Sequence, residues 1–125
     1  MKTAAKTSKS RRLIFTRIES TALPGVPDLL ICDESGKFHM VELKFITANA
    51  VSLRPHQVSW LTKHGKSSSW ILVKKQKSNM DKSELHVYRA DQAIDVKLEG
   101  LKVEAVMRQH QPFNWHDVFN LICPL

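Results

Sequence analysis

Three ionisable residues, Asp28, Glu42 and Lys44, fall where two short strands can bring them together. The apolar run Asp28-Leu29-Leu30-Ile31-Cys32 leads into a turn cluster, Asp33-Glu34-Ser35-Gly36, and a second run extends from Phe38 to Phe45. Two such runs around a glycine-bearing turn signal a β-hairpin. With Glu34-Ser35-Gly36 as a three-residue loop, Gly36 takes the positive φ that closes such turns. Opposed residue numbers then sum to 70: Asp33 faces Lys37, Cys32 faces Phe38, Leu30 faces Met40 and Asp28 faces Glu42. Side chains alternate with period two along a strand, so Asp28, Glu42 and Lys44 project from the same sheet face.

Two carboxylates opposed across a strand pair have Cβ atoms only about 5 Å apart, and like charges so placed destabilise the sheet. A hard divalent cation removes the conflict. Mg²⁺ is held by one or two carboxylates, keeps several waters and shares its remaining positions with substrate phosphate. Lys44 lies two residues beyond Glu42 on the same face. Its ammonium can orient or help deprotonate an attacking water, or offset charge that develops on phosphate oxygens. An isolated Glu-x-Lys is usually an exposed ion pair of little consequence. Here it comes with a Pro-Asp pair and a loop whose length sets the two carboxylates opposite each other.

Stepping outward, the elements that must hold this face are legible from periodicity. Residues 12–19 read as a strand, with Leu13, Phe15, Arg17 and Glu19 on one side and Ile14, Thr16 and Ile18 on the other. Pro24-Gly25-Val26-Pro27 breaks the chain before the hairpin. From Ser52 the period becomes helical: Ser52 is a cap candidate, Pro55 suits the first turn, and Gly65 suits a left-handed position after the last. Val58, Trp60 and Leu61 supply the apolar side. The run Ser69-Trp70-Ile71-Leu72-Val73 fits a strand buried on both faces. A lysine-rich loop follows, then a short strand over Leu85–Arg89, and a helix that Asp91 would cap and that stops before Gly100. Residues 101–111 are ambiguous. Asn114 would cap a final amphipathic helix carrying Trp115, Val118, Phe119 and Ile122.

At 125 residues, 42% hydrophobic and 25% charged, the chain has the size and composition of one globular domain. The expected layout is a basic, mobile arm over 1–11, a core over 12–89 and a helical region over 90–125. Nineteen Lys and Arg against 12 Asp and Glu give a formal net charge of +7, which suits a polyanionic partner. The excess is concentrated at the start of the chain, including Lys9, Arg11, Arg12 and Arg17, and around Lys74, Lys75 and Lys77. These are the candidate nucleic-acid contacts, although the N-terminal arm reads equally as a solubilising tail. Cys32 and Cys123 read as small buried hydrophobes rather than a disulfide or zinc set, and the six histidines lack ligand spacing. No apolar run approaches the roughly 18 residues of a membrane span, and no glycine-rich phosphate loop is present. A cytoplasmic protein without membrane or nucleotide cofactor is therefore expected.

Gly25-Val26-Pro27-Asp28 followed by Val41-Glu42-Leu43-Lys44 resembles the PD-(D/E)XK nuclease motif. The fuller run, with Arg17-Ile18-Glu19-Ser20 before it and Gln57 and Trp60-Leu61 after it, is similar to the small stand-alone VRR-NUC and Holliday-junction-resolvase-like branch, often phage-encoded. The likeness covers roughly residues 12–75. It implies an α/β, restriction-endonuclease-like fold: a mixed sheet flanked by helices in αβββαβ order, here with the first helix reduced or absent. It implies Asp28, Glu42 and the Leu43 carbonyl as ligands of Mg²⁺, with Mn²⁺ as a substitute, Lys44 as the catalytic lysine and Gln57 as a contact to the site. Glu19 would hold a metal water, either substituting for a helix-borne acid of related resolvases or leaving a site of two carboxylates. The implied activity is structure-selective DNA cleavage, with a four-way junction as leading substrate and a homodimer to make paired incisions. The C-terminal helix would form part of the dimer interface or pack on the core. Flap, single-strand or degradative cleavage, and nucleic-acid binding without catalysis, are the alternatives.

Overall fold

A computed structural model describes residues 11–19, 23–79 and 82–125. They form a mixed six-stranded sheet whose spatial order is the chain order: β1 (Ile14–Arg17), β2 (Leu29–Cys32), β3 (Phe38–Ile46), β4 (Ser69–Lys75), β5 (Glu84–Arg89) and β6 (Met107–His110). Every neighbouring pair is antiparallel except β3 and β4. Parallel neighbours need a crossover, and this one contains α1 (Pro55–Lys63). Two further helices, α2 (Ala93–Glu99) and α3 (Trp115–Ile122), complete a mixed α/β fold. The β1-β2-β3-α1-β4 order agrees with the expected core, and no helix precedes β1 among the described residues. The arm over 1–10 lies outside them.

Period-two alternation divides the core into two layers. Val41, Trp70, Leu85 and Val87 face α3, where they meet Val118, Phe119, Ile122 and Cys123. Ile71, Val73 and Tyr88 face the other way, under Leu61 of α1 and Ala93 and Val96 of α2. The three buried apolar side chains of α3 are thus consumed by the sheet, the core-packing alternative of the two expected for this helix. As expected, the Asn114 side chain caps this helix, its Oδ1 accepting the Asp117 N–H at 3.2 Å.

Several local expectations are revised. Arg54, not Ser52, is the N-cap of α1; the Arg54 N–H is satisfied by Gln57 Oε1 at 2.9 Å. Gly65 is not among the positive-φ glycines; its value lies in a close pass, because a Cβ there would come within 3.2 Å of Asp91 Cβ. Asp91 sits inside a short 3₁₀ turn, Ala90–Gln92, rather than capping a helix. Residues after Arg89 are not purely helical: the ambiguous segment supplies β6, an edge strand paired to β5.

The hairpin register is Leu29↔Val41, Leu30↔Met40, Ile31↔His39 and Cys32↔Phe38, the pairing predicted from loop length. Gly36 has φ +85°, and Asp33 Oδ1 secures the turn by accepting the N–H groups of Ser35 at 2.9 Å and Lys37 at 3.0 Å. Asp33 Oδ2 and His39 Nε2 lie 2.8 Å apart, and His39 Nδ1 meets Ser68 Oγ, tying the hairpin to the start of β4. Arg11 is drawn into the same end of the molecule. Its guanidinium makes a bidentate contact to Glu34 at 2.8 and 2.9 Å and donates to the Phe119 carbonyl at 3.2 Å.

Gly25 joins the segment before β2 to α1. It has φ +91°, and a Cβ on it would lie 2.2 Å from the His56 carbonyl oxygen. Gly36 shares the positive φ but has nothing within 4 Å of its Cβ position. Both substitutions to alanine carry the left-handed penalty of about 1–2 kcal/mol, and only Gly25→Ala adds a steric cost of about 1–3 kcal/mol. Urea denaturation is expected to show Gly25→Ala as the more damaging of the two by that second amount, with equal losses contradicting the contact.

Candidate metal centre

The site forms where β2 ends and β3 continues. Extending the ladder one step beyond Leu29↔Val41 sets Asp28 opposite Glu42, and a second step sets Pro27 opposite Leu43. Met40 donates its N–H toward the β4 side, to the Ser68 carbonyl. Backbone groups alternate sides along a strand, so the N–H and C=O of Leu43 point toward β2. The Leu43 N–H donates to Asp28 Oδ1 at 3.0 Å. On the extended register the Leu43 carbonyl is directed at Pro27, whose ring nitrogen has no hydrogen to offer. A backbone oxygen without its ladder donor thus stands beside the two carboxylates.

The α1 crossover closes the site from the other side. Gln57 lies in the first turn of α1 and its amide makes three bonds. Its Nε2 donates to Glu42 Oε2 at 3.0 Å, while its Oε1 accepts from Lys44 Nζ at 3.1 Å and from the Arg54 N–H at 2.9 Å. The opposite amide orientation would turn NH₂ toward two donors, so the network fixes the rotamer. Lys44 Nζ lies 3.5 Å from Glu42 Oε2.

Glu42 is only 4% exposed. Burial, and next the charge of Asp28, push its pKa up to about 7, against the opposing pull of Lys44. Its neighbours therefore offset only part of the cost of ionising it. The donors that converge, two carboxylates and a carbonyl, are hard oxygens suited to Mg²⁺ or Mn²⁺ rather than to zinc. Among the described residues no group of three or more His, Cys, Asp or Glu side chains is placed to hold a metal. A two-carboxylate site accords with a cation that keeps much of its water.

Of the five predicted catalytic residues, Asp28, Glu42, Lys44 and Gln57 come together and Glu19 does not. The Ile18 N–H donates to the Asp28 carbonyl at 2.8 Å, so Ile18 is the residue opposite Asp28. Glu19, one residue on, belongs to the opposite face with Arg17, which it meets at 3.3 Å with both side chains more than two-thirds exposed. The assignment of Glu19 to a metal water is corrected on this alternation. Pro27 and Arg54 were missed as contributors; the signal for the first lay in its register opposite Leu43.

The predicted nucleic-acid contacts also divide. Lys9 lies outside the described residues. Arg11 is 6% exposed and held by Glu34, so its assignment is corrected: it is a structural cation. Arg12 is exposed, and Arg17 is exposed on the face away from Asp28. Lys74 and Lys75 are adjacent in β4 and therefore point to opposite faces. Lys75 Nζ donates to Asn49 Oδ1 at 2.6 Å, and Lys77 pairs with Glu84 at 2.7 Å.

Comparisons with protein-family models, with curated proteins and with solved structures find no match to this chain. No helix among the described residues is long and apolar enough to cross a membrane.

The raised pKa of Glu42 has a definite sign for stability. A carboxyl whose folded pKa exceeds its unfolded value stabilises the fold while protonated and loses that contribution as pH rises from about 4.5 to about 7. Without divalent cation, Glu42→Gln is expected to be more stable than the parent protein near pH 8, by up to about 3 kcal/mol at 1.36 kcal/mol per pKa unit. The gap should close toward pH 4. Thermal unfolding across this range checks it, and a Glu42→Gln protein less stable near pH 8 would contradict the strained carboxylate.

Proposed function

We propose that this protein is a Mg²⁺-dependent endonuclease that hydrolyses phosphodiester bonds in DNA. What carries the reading is the buried Glu42 carboxylate set against Asp28, with Lys44 and Gln57 bonded around it. An arrangement serving the fold alone would not bury a carboxylate whose ionisation its surroundings resist. The resemblance to PD-(D/E)XK nucleases rests on these same positions.

Asp28, Glu42 and the Leu43 carbonyl would hold the cation. A divalent ion there supplies Lewis-acid polarisation of the phosphodiester and a water more readily deprotonated. The chain's own residues set the geometry. Leu43 N–H fixes one oxygen of Asp28. Gln57 holds Glu42 Oε2 from one side and Lys44 from the other, so the ammonium is aimed before substrate arrives. Lys44 is 17% exposed at its side chain, enough to meet a phosphate oxygen and offset the charge that grows on it in the transition state. Arg12 adds a backbone contact, which positions DNA without reading sequence, whereas Lys74, in register with Phe45, lies on the sheet face away from Glu42 and Lys44.

Backbone contacts of this kind carry no sequence information, which favours selectivity for DNA structure over sequence. A four-way junction is the leading substrate in this proposal, cut by a homodimer whose symmetry matches paired incisions. The test uses labelled four-way junctions, flaps and linear duplex, with Mg²⁺ and with chelator. Cleavage is expected to require Mg²⁺, to fall at least a hundredfold in Asp28→Asn and Lys44→Ala, and to favour the junction, while Asp28→Asn still binds DNA. Absence of Mg²⁺-dependent cleavage on every substrate would refute the nuclease reading. Equal cutting of linear duplex would refute junction selectivity alone.

A further inference from the structure

Beside the carboxylates lies a cavity of about 380 Å³, and we propose that it is a nucleobase pocket for an unpaired nucleotide flanking the scissile phosphate. The inference rests on the nuclease reading and names the kind of DNA that site prefers. The cavity and the carboxylate cluster share Gln57, which lines the former and bonds Glu42 in the latter. They also meet at Ile18, a lining residue opposite Asp28. A group bound in the cavity is therefore covalently within reach of a phosphate at the carboxylates only if it is the next unit along the same strand.

The lining chemistry specifies a flat heterocycle. Ile18, Leu23, Pro24 and Val26 supply the aliphatic lining, and Arg54 and His56 stand, exposed, at the start of α1. Arg54 has no ion pair among the described residues. Its planar guanidinium and the His56 imidazole offer stacking surfaces and hydrogen-bonding edges, while the aliphatic wall receives a ring face. The volume is at the lower end of the roughly 300–1,000 Å³ of small-ligand pockets, suited to one base rather than a base pair. Its walls are built to persist: Gly25 brings the loop against the His56 carbonyl more closely than any side chain would allow.

A base inside a duplex is stacked on both faces and paired on its edge, and it must leave the helix to enter such a pocket. An unpaired base in a flap or single strand enters without that cost, and a base at a junction crossover, where stacking is interrupted, enters at a lower cost than one inside a duplex. The site thereby selects DNA structure through one nucleotide.

The experiment compares cleavage of a single-stranded or junction substrate carrying its natural bases with substrates made abasic at either nucleotide flanking the cut. Hydrolysis of bis(p-nitrophenyl) phosphate, a diester without a base, runs alongside. An abasic residue on one side of the cut is expected to lower kcat/KM by about tenfold, within the range of base–aromatic stacking, and on the other side to leave it near the natural value. Ile18→Trp, which fills the cavity, is expected to abolish the difference between natural and abasic substrates, its fold checked by thermal unfolding. Arg54→Ala should reduce the same difference without entering the wall. Equal rates with natural and abasic substrates at both positions, while the base-free diester is still hydrolysed, would overturn the pocket alone. No hydrolysis of any substrate would overturn the nuclease reading and the pocket with it.

Discussion

The register of one antiparallel hairpin governs the rest of the site. A three-residue loop closed by Gly36 at positive φ makes Leu29 face Val41, and from that pairing everything at the open end of the hairpin follows. Asp28 is opposite Glu42, and Pro27, which has no N–H, is opposite Leu43. A slip of one residue would send Glu42 and Lys44 to the α3 face against Val118 and Phe119 and turn Val41 and Leu43 away from it, since side-chain direction alternates with period two. The knot of Asp33, His39 and Ser68 at the other end resists such a slip. A polar network far from the carboxylates thus serves their placement.

Register alone would leave two carboxylates repelling each other in a half-apolar setting. The α1 crossover supplies what the hairpin lacks. Gln57 can donate to Glu42 while accepting from Lys44 only because an amide carries both functions, so neither Glu nor Lys at that position would bond both neighbours. Its third bond, from the Arg54 N–H, also satisfies the first turn of the helix. One residue of the first turn of α1 thus both bonds the N-cap and arranges the site. Even so, burial keeps the Glu42 pKa high, and the unresolved charge conflict gives an incoming cation its binding energy.

Much of this was legible locally, and what was not depends on distance in the chain. Hairpin pairing, the shared face of Asp28, Glu42 and Lys44, and the cap by Asn114 all follow from spacing within about 16 residues. Arg11 looked like any cation of a basic arm because its partner Glu34 lies 23 positions away and its other partners, Phe119 and Asn120, lie over 100 away. Glu19 was attached to the site by likeness of order. The strand alternation already set it beside Phe15 and away from Ile18, and the structure follows the alternation. β6 escaped notice because Met107–His110 alternates intermediate and exposed positions, with no apolar run to announce it. The capping role of Gln57 was hidden behind a plausible serine two residues before the true cap.

The central claim is that Asp28 and Glu42 together hold a divalent cation, and direct cation binding tests it without reference to any substrate. Titration of the protein with Mn²⁺, followed by electron paramagnetic resonance of the free ion, should show a site that is filled in the parent protein and competed by Mg²⁺. That site should disappear in Asp28→Asn and in Glu42→Gln while the fold persists. Mn²⁺ binding left intact by both substitutions would contradict the account.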